Sequence, residues 1–219
     1  MRHTILTTVG TSLLTNADRP WAGWRHKQPL PEANIVDAWL RQADPIKAGA
    51  ETHTWHRLGL FDSDDKAKIE VVLIHSQTAD GQFCAERLVS AAEARGLKAR
   101  RRQVDGLDYS EGPKFNRGLR QLARVVGEEI KRGKASGTVE LAATGGFKAE
   151  IAIANLVGAL SDTPVHYIYE QFTSLITIAP IPVTLRADWI GNGAGRRLLE
   201  AFESANDVIP AAIPGLILS

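Results

Sequence analysis

The chain has 219 residues, and its 26 lysines and arginines nearly balance 25 acidic residues, which gives a formal net charge of +1. This balance argues against DNA binding through bulk charge, so any phosphate site must be local. The composition, 44% hydrophobic and 23% charged, is typical of a globular domain and contains no stretch apolar enough to span a membrane. A single cysteine, Cys84, excludes an internal disulfide. The N-terminus enters a strand pattern with no cleavable signal, so we expect a cytoplasmic protein.

Alternating strand and helix patterns predict the fold class. Apolar, β-branched runs between polar or glycine-containing turns predict strands at residues 3–9, 69–75, 97–104, 138–144 and 165–170. Helical periodicity fills the intervals at residues 80–95, 115–132 and 146–160. This alternation predicts an α/β fold with a doubly wound, mostly parallel, Rossmann-like sheet of order 3-2-1-4-5. A further apolar run, residues 174–185, predicts an edge strand ended by Pro180 and Pro182.

The first connection is far longer than an ordinary strand-to-helix link, so we predict an insertion over residues 14–66. We expect a loop through Trp21 and Trp24, then helical pieces at 32–43 and 46–58. We therefore divide the chain into a ligand-binding domain at 1–182 and a small helical extension at 183–219, with a helix near 195–204. The apolar ending of the extension favours either docking on a partner or a cut from a longer chain.

Two strand-to-helix turns carry the strongest functional signal. Gly10, Thr11 and Ser12 follow the first strand, and the TGGFK segment at 144–148 follows the fourth. In the predicted strand order these turns face one crevice at the topological switch point, where ligands bind. Backbone amides and hydroxyls from one turn, with the amides and the Lys148 ammonium from the other, would form an anion cradle. Either turn alone is more typical of an ordinary tight turn, but the two together at the switch point favour a ligand.

Other motifs are absent or weak. No GxGxxG or GxxxxGK[ST] pattern is present, which argues against a dinucleotide site and a P-loop. His53 and His56 lie near Glu51 without a further ligand, so we expect no metal and no cofactor. His75 is interpreted as a polar residue at a strand end and Cys84 as a buried helix residue. The basic run at 100–102 either binds RNA or prevents pairing at a sheet edge.

Several segments together resemble the CRISPR-associated Rossmann fold (CARF) family, in particular the short proteins that include standalone ring nucleases. The resemblance extends over residues 3–182 and rests on GTSLL at 10–14, AGAETHTWHRL at 48–58, IEVVLIHSQTADG at 69–81, ATGGFKAEIAIANLVGAL at 143–160 and VHYIYEQF at 165–172. The chain departs from the family where SQT at 76–78 lacks an acidic residue and where TGG is not preceded by asparagine.

The resemblance implies a homodimer that binds a cyclic oligoadenylate, usually the tetra-adenylate, across its two-fold axis. The implied ligand-binding residues are Gly10, Thr11, Ser12, Gln77, Thr144, Gly145, Gly146, Phe147 and Lys148. Ser12 and Lys148 match positions that also serve in ring cleavage where cleavage occurs. Trp21, Trp24 and Arg25 are candidates for a lid, with structural or dimer packing as the alternative.

Two functions remain open at the sequence level. A ring nuclease would cleave its ligand without a metal, by attack of a ribose 2′-OH on the adjacent phosphate, with slow turnover because no general base is evident. A non-catalytic sensor domain would instead control an output domain beyond residue 219. A transcription regulator is disfavoured, because it would need a helix-turn-helix within residues 183–219.

Overall fold

A six-stranded sheet lies at the centre of the computed structural model, which describes residues 1–16, 19–21, 23–109, 112–168 and 174–179. The strands are β1 Arg2–Thr8, β2 Ile69–Ser76, β3 Lys98–Val104, β4 Gly137–Ala142, β5 Val165–Ile168 and β6 Leu175–Ile178. Their order is β3-β2-β1-β4-β5-β6, with all neighbours parallel except β6, which pairs antiparallel with β5. The predicted fold class and strand order are confirmed.

Seven helices connect these strands within the described residues. They are α1 Ser12–Thr15, α2 Ala33–Gln42, α3 Pro45–Ala48, α4 Ala50–Arg57, α5 Ala79–Glu93, α6 Gly112–Lys134 and α7 Lys148–Leu160, with a 3₁₀ turn at Lys66–Lys68. The predicted helices at 80–95 and 115–132 correspond to α5 and α6. The insertion contributes α2, α3 and α4, as its periodicity indicated. None of the described helices is long and apolar enough to cross a membrane.

Helices cover both faces of the sheet, which explains why the central strands are nearly continuous apolar runs. Along β2, Val71 and Leu73 face one core with α1, α2, α4 and α5, whereas Val72 and Ile74 face the second core with α6 and α7. The insertion helices belong to the first core, where Trp55 of α4 is fully buried. The insertion is therefore part of the domain core.

Two predicted features lie in the part of the chain that the structure does not describe. The prolines expected to end the edge strand and the extension at 183–219, with its helix near 195–204, lie outside the described residues. The division at residue 182 therefore remains a prediction.

Candidate functional site

The turns after β1 and β4 lie against each other at the carboxyl edge of the sheet. β1 pairs with β4 in parallel, so both strands end at the same edge. The Thr8 hydroxyl donates to the carbonyl oxygen of Gly145 over 2.6 Å and joins the two turns directly. The sequence expectation that both turns face one crevice agrees with this geometry.

Glycine is required at the contact between these turns because the backbones approach too closely for a side chain. A Cβ placed on Gly10 would lie 2.5 Å from the amide nitrogen of Gly146. A Cβ on Gly145 would lie 2.6 Å from the Gly10 nitrogen and 2.6 Å from the Thr8 oxygen. Gly146 has φ of +105°, a conformation that L side chains rarely adopt. The glycines in TGG thus have a packing role in addition to any ligand role.

A buried carboxylate from the insertion holds the first turn. Glu51 of α4 is 1% exposed, and its Oε1 accepts the Gly10 N–H over 2.7 Å. Its Oε2 accepts the Ser12 hydroxyl over 3.1 Å, and the Ser12 oxygen in turn accepts the Ala50 N–H over 3.2 Å. The Gly10 amide and the Ser12 hydroxyl are therefore engaged in internal hydrogen bonds. The sequence predicted that the Gly10 amide would donate to a bound anion, but in the structure it donates to Glu51.

Burial dominates the electrostatics of this carboxylate. Desolvation raises the pKa of Glu51 above its ordinary value of 4.5, and the hydrogen bonds from Gly10 and Ser12 oppose only part of that effect. The same helix supports the second turn, because the Thr54 hydroxyl lies 2.7 Å from the Thr144 hydroxyl. Sequence reasoning assigned Glu51 and Thr54 no role here, although both lie in the AGAETHTWHRL segment that carried the family resemblance.

The turns enclose a cleft with a volume of about 320 Å³, at the small end of the range for small-molecule sites. Seven lining residues carry a hydroxyl, and none of the lining residues identified in the described chain is Lys, Arg, Asp or Glu. The lining residues are Val9, Gly10, Thr11, Ser12, Thr15, Asn16, Ala50, Ser76, Thr78, Gly81, Tyr109, Thr144, Gly145, Gly146 and Phe147. The cleft offers neutral hydrogen-bonding groups with an aromatic wall.

Seven of the nine residues expected to bind ligand line this cleft; the exceptions are Gln77 and Lys148. Gln77 lies on the same turn as Ser76 and Thr78, which do line the cleft, but its side-chain oxygen accepts the Gly106 N–H over 2.8 Å. Lys148, the first residue of α7, is exposed just outside the cleft, next to Phe147. The described residues provide it with no hydrogen bond or ion pair.

The far wall is built around Glu150 in the first turn of α7. Its Oε1 accepts the Tyr109 hydroxyl over 2.7 Å. Burial raises the pKa of Glu150 to about 6, with hydrogen bonds from Tyr109 and from the Phe147 backbone acting in the opposite direction. Burial and the neighbouring Glu150 carboxylate also raise the pKa of Tyr109. Sequence reasoning missed Tyr109, because nothing in its local pattern indicated that the loop after β3 reaches the switch point.

The lid candidates pack elsewhere. Trp24 is 9% exposed within the first core and donates its indole N–H to the Pro29 oxygen. Trp21 donates to the Leu13 oxygen and packs edge-to-face on Trp39. Neither tryptophan lines the cleft, and neither does the exposed Arg25. Their contacts agree with the structural alternative weighed for them.

The remaining sequence candidates have structural contacts. His53 accepts a hydrogen bond from Arg57, and the described residues contain no group of three or more potential metal ligands. His75 is buried and bonds the Ser76 carbonyl, and Cys84 is fully buried. The basic run of β3 is paired with glutamates of β2, α5 and α6. This pairing favours the edge-strand interpretation of that run.

Comparison with known proteins places the chain in a family. Residues 46–181, more than half of the chain, match the model of the CRISPR-associated protein family Cas_APE2256. The chain belongs to this family, and the expectation of a CRISPR-associated protein is confirmed. No curated protein matches it. Can2 from Sulfobacillus thermosulfidooxidans, solved in complex with cyclic tetra-adenylate, is a similar structure with a TM-score of 0.44 and 12% identity. The match covers 84% of this chain but only 39% of Can2.

Proposed function

We propose that this chain binds a cyclic oligoadenylate, with cyclic tetra-adenylate as the first ligand to test, in type III CRISPR antiviral signalling. The observation that supports this proposal most strongly is the meeting of two glycine-containing, helix-opening turns in one hydroxyl-rich cleft. Such amides and hydroxyls suit phosphate and ribose oxygens. Membership of a CRISPR-associated family favours a cyclic oligoadenylate over other nucleotides.

The size and charge of the cleft support binding across a homodimer. One cleft of about 320 Å³ is small for a ring of several nucleotides, and its lining offers no side-chain cation to several phosphates. Two opposed clefts would double the volume and bring two copies of Lys148 to the ligand. A ring with two-fold symmetry also matches an isologous dimer.

Helix α7 offers a surface for this dimer. Its exposed stripe begins with Lys148 and continues through Ala152, Leu156 and Leu160, at helical spacing. Leu156 is 52% and Leu160 is 40% exposed. Pairing along this stripe would bury the leucines and place both lysines near the two-fold axis. Leu156→Glu should therefore give monomers in light scattering, whereas the matched Ile35→Glu, at a 46% exposed position on α2, should leave the dimer intact.

Competition binding tests the ligand assignment. Labelled cyclic tetra-adenylate should be displaced by unlabelled ring but not by ATP, NAD or linear DNA at comparable concentration, because the chain has neither a dinucleotide fingerprint nor a P-loop. Equal displacement by ATP would contradict the assignment and indicate a generic nucleotide site.

Ring cleavage is a second candidate function, favoured by the positions of Ser12 and Lys148 on the two turns. In the metal-independent reaction, a ribose 2′-oxygen forms a bond to the adjacent phosphorus and the bond to the 5′-oxygen breaks. The proton of the 2′-OH passes to the leaving oxygen, which leaves a 2′,3′-cyclic phosphate and a 5′-OH. The protein would orient the 2′-OH and stabilise the phosphorane charge through Lys148.

The hydrogen bonds of Ser12 favour the non-catalytic alternative, a sensor domain of a larger effector. Its hydroxyl is already engaged with Glu51 and Ala50, so a catalytic role requires this pairing to change on ligand binding. Mass spectrometry of cyclic tetra- and hexa-adenylate incubated with the protein separates the two functions. Linear products that form in the presence of EDTA support the ring nuclease, whereas rings that remain intact over hours support the sensor.

A further inference from the structure

Two aromatic rings form one wall of the cleft. The ring centroids of Tyr109 and Phe147 are 4.3 Å apart with an interplanar angle of 38°, and both residues line the cleft. Phe147 is 54% exposed, whereas the other phenylalanine, tyrosine and tryptophan residues of the described chain are buried or partly buried. The two rings thus pack against each other at a tilt, and the exposed part of Phe147 gives the otherwise polar cleft an apolar edge.

Glu150 holds both rings in this arrangement. Its carboxylate accepts the Tyr109 hydroxyl, and its backbone N–H donates to the Phe147 carbonyl oxygen over 2.9 Å. Glu150 itself is 3% exposed, so the group that positions the rings is buried. This buried anchor orders the wall before any ligand arrives, which reduces the entropy lost on binding.

Local folding does not account for Phe147 at its position. It is the residue immediately before α7, where Ser, Thr, Asp or Asn would supply a capping side chain, and its side chain makes no cap hydrogen bond. More than half of the side chain faces solvent, so burial contributes little stability there. Phe115, the third ring of the cluster, packs on Tyr109 at 5.6 Å and against the second core, and does not line the cleft.

We propose that the exposed ring of Phe147, backed by Tyr109, forms a stacking site for one purine base of the ligand. This inference rests on the proposed function, because it assigns the base subsite of the same cleft. Phosphate and ribose groups would lie toward the hydroxyl-rich turns, and the base would lie against the aromatic wall at the cleft mouth. Stacking of bases on aromatic side chains is a common mode of single-stranded nucleic-acid binding.

A fluorescent ring tests the stacking site. The probe is cyclic tetra-adenylate with one adenine replaced by 2-aminopurine, whose emission is quenched when the base stacks. The wild-type protein should bind and quench the probe. Phe147→Leu should lower affinity by about tenfold, the scale of one lost stack, and reduce the quenching at saturation. Phe83→Leu, at a partly buried position of α5 that packs against the first core and does not line the cleft, is the matched control and should bind and quench as the wild type does.

The outcomes separate this inference from the proposed function. Wild-type affinity and full quenching in Phe147→Leu, with the ring still bound, would overturn the stacking site and leave the proposed function standing. If the wild-type protein does not bind the ring at all, the proposed function fails, and linear 2-aminopurine ribonucleotide then decides the inference. Quenching of that nucleotide by the wild-type protein but not by Phe147→Leu would support a base site. Its absence, or its equality in the two proteins, would overturn the site.

Discussion

Removing the Glu51 carboxylate tests how the cleft is built. In Glu51→Ala the Gly10 N–H and the Ser12 hydroxyl both lose their acceptor. An unpaired buried donor costs about 1–3 kcal/mol, and the truncated side chain leaves a void. Ser12 lines the cleft, so water can replace the acceptor that its hydroxyl loses. Counting one unpaired donor, the Gly10 N–H, together with the void, we expect a loss of about 2–4 kcal/mol in the free energy of unfolding.

Glu51→Gln separates the charge from the hydrogen bonds. The amide oxygen still accepts from Gly10, so this variant should lose less stability than Glu51→Ala at neutral pH. The folded state raises the pKa of Glu51, so its stabilising contribution is fully present below the ordinary value of 4.5 and declines as pH rises above it. The glutamine variant lacks this decline, and the wild type should therefore lose stability relative to it as pH increases.

Urea unfolding of the three proteins, measured between about pH 5 and pH 8, provides the assay. The difference between wild type and Glu51→Gln isolates Glu51, because Glu150 titrates in both proteins. A loss in Glu51→Ala below about 0.5 kcal/mol, the scale of a neutral surface change, would refute the supporting role of this carboxylate. A pH-independent difference between wild type and Glu51→Gln would refute its buried titration.

Four further outcomes follow from the same geometry. Gly145→Ala should destabilise by about 1–3 kcal/mol in urea unfolding through the close contact of the turns, whereas Gly127→Ala in open space on α6 should be neutral or stabilising; equal effects would contradict this. Lys148→Ala should weaken ring binding by about 1–3 kcal/mol in calorimetry, and unchanged affinity would remove it from the site. Ser12→Ala should retain most binding but lower any single-turnover cleavage about tenfold, and an unchanged rate would exclude a catalytic role. The free energy of unfolding of the wild type should fall by about 2 kcal/mol as pH rises from 4.5 through about 6, because the pKa of Glu150 is raised in the folded state. Glu150→Gln should not show this fall, and a fall that persists in the variant would contradict the raised pKa.

Much of the fold could be predicted because each central strand and each long helix carries its own signal. β2 is an uninterrupted apolar run because helices cover both of its faces, and α6 shows helical periodicity because one face packs on the sheet. The switch-point turns were found for the same reason, since glycine and hydroxyl residues follow the strands directly.

The residues that complete the site were harder to find because they come from distant parts of the chain. Glu51 contacts Gly10 across 41 positions, and Tyr109 contacts Glu150 across 41 positions. Neither contact produces a local periodicity. Gln77 was expected in the site from the family resemblance, but its hydrogen bond to Gly106 depends on how the loop after β3 folds back. Long-range pairing of this kind is set by tertiary packing.

Calorimetric titration of cyclic tetra-adenylate into the purified protein tests the central claim most directly, because it measures affinity and stoichiometry together. We expect tight binding with one ring for every two chains, since each cleft is small and a two-fold ring requires two of them. The titration should be repeated with Leu156→Glu, whose expected failure to dimerise should abolish tight binding. No detectable heat and no displacement of a labelled ring, or one ring bound tightly by each single chain, would contradict the account.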